Sequence, residues 1–144
     1  MATRKDPIAG TTSALLAGIG VLHVLWGLRA PIPGVDAARV ADAVVGSEDL
    51  PSPRACFTVA AALAVAAGLV AGAPSRWPRL RRIGQTGVAV VLGGRALLGA
   101  TGRTDLVAPG PTSERFEKWD RALYTPLCFA LSAGAARAAC RAGG

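Results

Sequence analysis

The sequence predicts an all-α integral membrane protein: a single bundle of four transmembrane helices occupying residues 1–144. Three observations lead there. Hydrophobic residues make up 51% of the chain and charged residues only 17%, against roughly 25% charged in a soluble domain. The apolar residues are gathered in blocks long enough to cross a bilayer, which takes roughly 20 helical residues. The Lys and Arg residues are shared unevenly between the connections, as a membrane topology requires. A length of 144 residues allows one domain.

The first apolar block, residues 8–28, has no Asp, Glu, Lys or Arg. Thr11, Thr12 and Ser13 lie near its start, His23 and Trp26 near its end, and Arg29, Pro31 and Pro33 stop it. Arg4 and Lys5 precede it as in a signal peptide. The block is longer than a typical signal-peptide core and no clean small-residue cleavage site follows, so it reads as a retained anchor and first span. Residues 31–54 form a polar connection, in which Val35–Val45 can form a short helix capped by Asp36.

The second span is residues 55–73, where Gly68 and Gly72 make a GxxxG step suited to close helix approach. A basic loop follows, carrying Arg76, Arg79, Arg81 and Arg82 with no acid. The third span, residues 83–101, holds Arg95 and enough glycines to be thin on several sides, which predicts a place at the centre of the bundle. Residues 102–121 are the second long polar connection. Thr104-Asp105 and Pro109-Gly-Pro111 are turn chemistry there. Thr112 or Ser113 can cap a short amphipathic helix through Lys118, with Phe116 and Trp119 on its lipid side. The fourth span, residues 122–140, needs Arg137 to snorkel. Pro126, inside its apolar part, would free a backbone carbonyl.

Orientation follows from the charges. With the N-terminus inside, the N-tail, the basic loop and the C-tail together hold eight basic residues against one acid. The two polar connections hold seven against eight. The positive-inside rule therefore predicts a multi-pass protein of the cell membrane, both termini cytoplasmic and both polar connections extracytoplasmic.

This topology also accounts for the net charge of +7. Nucleic acid is not an expected partner, because no basic stripe interleaved with aromatics is present. The three cysteines, Cys56, Cys128 and Cys140, form no Cys-x-x-Cys pair, and the single His cannot complete a zinc site with them. No phosphate loop, serine triad or pair of intramembrane carboxylates occurs, and no cofactor is indicated.

In this orientation His23, Trp26, Cys56, Arg95, Asp120, Tyr124 and Cys128 all fall toward the outer ends of their helices. Asp120, Tyr124 and Cys128 share one helical face by their spacing of four. Arg95 lies six residues before Thr101, about 9 Å below the outer boundary. A charge there costs roughly 2.5–3.5 kcal/mol on insertion scales. It reads either as a group binding an anion or carbonyl, or as the partner of Asp120 in an ion pair locking the third and fourth helices. His23 reads as a proton-transfer group or as a neutral core histidine bonded to another helix. Trp26 and Tyr124 also suit the interfacial aromatic belt. Cys56 and Cys128 either pair in an oxidising compartment or stay free.

Three stretches carry a resemblance: His23-Val-Leu-Trp26-Gly27 in the first span, Arg95-Ala-Leu-Leu-Gly99 in the third, and the block from Phe116 through Asp120, Tyr124 and Pro126 to Cys128. Together they resemble the small bacterial integral membrane proteins grouped as domain of unknown function 3995, over roughly residues 14–137. The family often continues its third-helix step with Asp-Phe-Arg, whereas Gly99 is followed here by Ala100-Thr-Gly-Arg103. The resemblance implies the four-helix membrane fold and brings no activity with it.

The leading expectation for function is a non-enzymatic protein. It would bind a lipid, a small amphiphile or a partner in an outer-leaflet cavity lined by His23, Arg95, Asp120 and Tyr124, with Trp26 and Cys128 beside them. The alternative is a membrane-embedded enzyme acting on a lipid or quinone-like substrate at the same site, with His23 moving protons and Arg95 stabilising charge. A transporter subunit would need a homo-oligomer to enclose a path. It would also need polar groups along the inner half, where only Thr11, Thr12, Ser13, Gln85, Thr86 and Ser132 are available.

Overall fold

A computed structural model of the chain describes residues 6–30, 36–47, 49–103, 106 and 113–142. These residues are helical, with no strand among them. Helix α1 spans Pro7–Gly27, α2 Ala37–Val45, α3 Pro53–Ala71 and α4 Pro78–Ala100. Helix α5, Glu114–Trp119, runs through one π-helical turn, Asp120–Tyr124, into α6, Thr125–Arg141. The turn-forming residues expected at 104–105 and 109–111 lie outside the described residues.

The helix starts follow from capping chemistry. Asp6, Asp36, Ser52 and Ser113 each accept a backbone N–H from the first turn of α1, α2, α3 and α5 respectively. Pro7 and Pro53 occupy first-turn positions, where a missing N–H costs nothing. Helix α4 begins at Pro78, five residues before the expected span. Pro78 suits that position, and the arginines that follow are tolerated where the helix emerges from the apolar layer. Arg81 turns back there to donate to the carbonyl of Gly72 at 3.2 Å.

Two tight helix pairs result. Helix α1 lies along α3, and α4 lies along α6, while contacts between the pairs are sparser. Gly20 lets α1 close on α3: a Cβ there would stand 3.5 Å from the Ala60 carbonyl and from Leu63. Gly134 likewise gives α6 room against Thr12 of α1. The buried core is small, formed by Leu16, Ala67, Val70, Leu131, Ala135 and Ala138.

Polar side chains inside the bundle donate to carbonyls of neighbouring helices. Ser13 bonds Ala67 at 2.8 Å, Gln85 bonds Leu69 at 2.8 Å and Ser132 bonds Ala89 at 2.7 Å. They join helices in the way expected of polar groups in lipid.

The outer faces identify the surroundings. Helices α1, α3 and α4 are long and apolar enough to cross a membrane, yet only 17%, 28% and 22% of their apolar windows are buried within the protein. Apolar surface on that scale needs lipid or another protein against it.

Three expectations are corrected. The third-span helix does not sit at the centre: Ile83, Val90 and Val91 are 69%, 67% and 71% exposed. Its glycines mark one packed side, since Gly84 meets Leu69 and Gly93 meets Ser132, while Gly87 and Gly94 face open space. The GxxxG step makes no close approach. Gly68 has nothing near it, and Gly72 ends α3 at φ +105°, a conformation that favours glycine. Phe116 does not face lipid: it is 3% exposed and stacks at a tilt on Tyr124, whereas Trp119 is exposed as expected.

At the end of the bundle holding the N-terminus, Asp6 accepts from Arg137 at 3.3 Å and Arg141 at 3.4 Å. Burial works to raise its pKa. The Ile8 N–H and the two guanidinium groups outweigh that and hold the carboxyl below its ordinary 3.8. A depressed carboxylate contributes stability that is complete above the ordinary value and lost as pH falls through the depressed one. Thermal unfolding in detergent should therefore show a fall in stability below about pH 4 that is reduced in Asp6→Asn; identical acid limbs would remove Asp6 from the account.

Candidate functional site

The site is built around two charges on facing helices. Arg95 projects from α4, and Asp120 is the first residue of the π turn, with no exposed side-chain surface. They form an ion pair through Arg95 Nη2 and Asp120 Oδ1. The second carboxylate oxygen accepts from the Thr125 hydroxyl at 3.2 Å. Burying a lone carboxylate is costly, and a cation plus a hydroxyl is the minimum that makes it tolerable.

The local backbone is shaped to permit this. Pro126 has no N–H, and its ring would strike the carbonyl four residues earlier in a regular helix. The chain widens into a π turn just before it, with the Thr125 N–H bonding the Asp120 carbonyl. The wider turn brings Asp120 and Thr125 together, five residues apart. It also parts Asp120 from the face expected to hold Tyr124 and Cys128. Opposite, Gly99 leaves the room that the pair occupies. A Cβ at Gly99 would collide with the Thr125 hydroxyl and stand 2.8 Å from Asp120 Oδ2 and 2.9 Å from Arg95 Nη1.

Beside the pair lies a cavity of about 520 Å³ between the two helix pairs. His23, Trp26, Cys56, Arg95, Tyr124 and Cys128 border it, and aliphatic side chains form the remaining wall. Asp120 is not on that wall; it sits behind Arg95. Helix α2 contributes Val44 and Val45, so the first polar connection helps to cover the cavity. It is fastened there by three contacts. The Tyr124 hydroxyl donates to Ala43 O at 3.0 Å, Ser113 Oγ donates to Asp42 O at 3.3 Å, and Arg115 pairs with Asp42 at 3.0 Å.

The polar groups on the wall differ in what they have left to offer. Arg95 has five N–H donors and makes one hydrogen bond, to Asp120; Nη1 is buried without an acceptor. Its side chain is 20% exposed. His23 shares a 2.9 Å hydrogen bond between Nδ1 and the Ile19 carbonyl of its own helix, and its ring meets Trp26 edge-on at 5.0 Å. It bonds neither Arg95 nor Tyr124, the contacts a proton-transfer role would call for. Cys56 and Cys128 border the same cavity as free thiols, so the disulfide alternative is not the one adopted. No group of three or more His, Cys, Asp or Glu among the described residues could hold a metal.

Thr125, Gly99 and the α2 roof were not anticipated from the sequence. Gly99 had a usable signal, standing four residues after Arg95 and thus on the same face. Thr125 had none, because its alignment with Asp120 depends on the π turn.

Fold and site together define a small helical membrane protein with a buried Arg–Asp pair beside a largely apolar cavity. The chain belongs to the family described as Protein of unknown function (DUF3995), whose model matches residues 16–135. That segment contains every residue bordering the cavity and leaves out the Asp6 clasp. No curated protein and no solved structure matches the chain.

Replacing Arg95 by Leu strands the buried carboxylate and should cost about 3–5 kcal/mol, the range for breaking a buried pair. The double variant Arg95→Leu/Asp120→Leu should regain most of that loss. A double-mutant cycle on unfolding in detergent reads the coupling; additive losses would mean that the two groups do not act as a pair.

Proposed function

We propose that the chain crosses the bilayer four times with both termini cytoplasmic, and that its outer-half cavity binds a lipid or small amphiphile, with the ligand's polar end at Arg95. The observation that carries the ligand reading is the cavity itself. An apolar chamber of about 520 Å³ falls in the roughly 300–1,000 Å³ range of small-molecule sites, and its one charged wall residue has hydrogen-bond donors to spare. His23, Trp26, Tyr124 and Cys128 would line the ligand, while Asp120 would hold Arg95 in position.

Several features support four crossings. Helix α6 has only 17 residues and carries Arg137 and Arg141. Helices α5 and α6 nevertheless run unbroken through the π turn from Glu114 to Arg141, roughly 40 Å at helical rise. The pairing of Asp6 with Arg137 and Arg141 favours the first and last helices ending on one side, which needs an even number of crossings. The four arginines of the loop between α3 and α4 favour that side being cytoplasmic.

An enzymatic role at this site has less support, because His23 spends its Nδ1 on Ile19 and makes no hydrogen bond to a second ionisable group among the described residues. A transporter role has less still, because Ser13, Gln85 and Ser132, three of the few inner-half polar groups, each donate to a neighbouring helix.

Native mass spectrometry of the detergent-purified protein should reveal a retained small molecule, lost when Leu127→Trp fills the cavity. A wild-type spectrum at the bare polypeptide mass would count against a resident ligand. Topology has its own test in Cys56→Ala/Cys128→Ala, where the exposed Cys140 is the sole thiol. An impermeant maleimide should label it only after the membrane is permeabilised; labelling of intact cells would reverse the orientation.

A further inference from the structure

We infer that the occupant of this cavity is an uncharged amphiphile whose head both accepts and donates hydrogen bonds, the hydroxyl-bearing chemistry shared by hydroquinones and acylglycerols, and not an ionised lipid. The inference rests on the ligand reading above and narrows it by charge and by donor–acceptor count.

Charge comes first. Arg95 is the one charged residue among those bordering the cavity, and its charge is already matched by Asp120. Asp120 is fully buried and holds its two partners through both oxygens. A phosphate or carboxylate entering beside them would be a second anion on one cation, away from water. Like charges in such a setting disfavour ionisation strongly, and burying the extra charge is costly. A neutral carbonyl or hydroxyl oxygen carries no such penalty and still accepts from the guanidinium.

The donor–acceptor count then separates neutral heads from one another. The Ile19 carbonyl can only accept, so His23 Nδ1 carries the proton in their hydrogen bond. In the neutral ring Nε2 is therefore an acceptor. The Tyr124 hydroxyl has already given its proton to Ala43. The wall thus offers donors at Arg95 and Trp26 and acceptors at His23 and the Tyr124 oxygen, and is otherwise largely apolar. A quinone or a simple ester, which only accepts, satisfies Arg95 and leaves His23 unmatched. A head with a hydroxyl group satisfies both. The apolar body of such a molecule would lie against Leu16, Leu63 and Leu131, which border the cavity deeper in the bundle.

The test uses the full chain carrying Trp77→Phe and Trp119→Phe. Trp26, on the cavity wall, is then the only tryptophan. Its emission is followed in phosphatidylcholine nanodiscs during titration with decylubiquinol, monooleoylglycerol, decylubiquinone and dodecyl phosphate. At least one of the two hydroxyl heads should reach half-saturation at about fivefold lower concentration than the quinone or the phosphate, the margin that one hydrogen bond of typical net strength supplies. Which of the two binds more tightly identifies the source of the head. His23→Leu should shrink that margin and leave the quinone's half-saturation unchanged.

Tighter binding of dodecyl phosphate would overturn the neutral-head inference while leaving the cavity a ligand site. A quinone that binds as tightly as the better of the two hydroxyl probes would overturn the part assigned to His23, as would a His23→Leu shift common to all four probes. Saturation by none of the probes would also overturn the inference. The broader ligand reading would then fall only if the native spectrum also shows the bare polypeptide.

Discussion

A carboxylate with no exposed surface, held inside a bundle of mostly apolar helices, constrains everything near it. Asp120 must have a cation, and Arg95 is the cation within reach. That requirement fixes how α4 and the α5–α6 run face one another, and it decides which residues can stand between them. Position 99 has to be glycine-sized, because any side chain there would enter the space of the pair. Thr125 has to align with Asp120, which an ordinary helical turn would not achieve. The outer cavity is a by-product of the same arrangement. One helix pair is drawn together around the charges, while its junction with the other pair stays loose enough to leave a chamber.

Much of this was legible in the chain. The apolar blocks, the third interrupted by Arg95, located α1, α3 and α4, since a length of apolar sequence is what a bilayer demands of a helix. Asp36 and Ser113 announced the two short connecting helices through capping chemistry alone. The meeting of Arg95 with Asp120 was one of two readings open for that arginine, and it rested on two facts: a charge in an apolar span needs a partner, and a carboxylate stood at the matching depth.

What stayed hidden was hidden for physical reasons. The spacing of Asp120, Tyr124 and Cys128 suggested one face, but that argument assumes 3.6 residues per turn throughout. Pro126 breaks the assumption two residues after the π turn ends. Phe116 looked like a lipid-facing aromatic because its burial depends on Tyr124 and on α2, a segment more than 70 positions away in sequence. The glycines of α4 were visible, but their number said nothing about side: only Gly84, Gly93 and Gly99 meet neighbours. Composition reports that a helix can be approached closely. It does not report from which direction.

The widened turn at residues 120–124 sets the azimuth of all that follows it. A regular helix advances by about 100° per residue, so the one additional residue accommodated there acts as a phase offset between α5 and α6. Were the same residues wound as a regular helix instead, Cys128, Leu131 and Gly134 would rotate away from the chamber and from Thr12. The outer charge pair could remain while the remaining length of the last helix presented the wrong side to its neighbours. A short stretch of irregular winding thereby couples the orientation of a whole helix to the local chemistry of one proline.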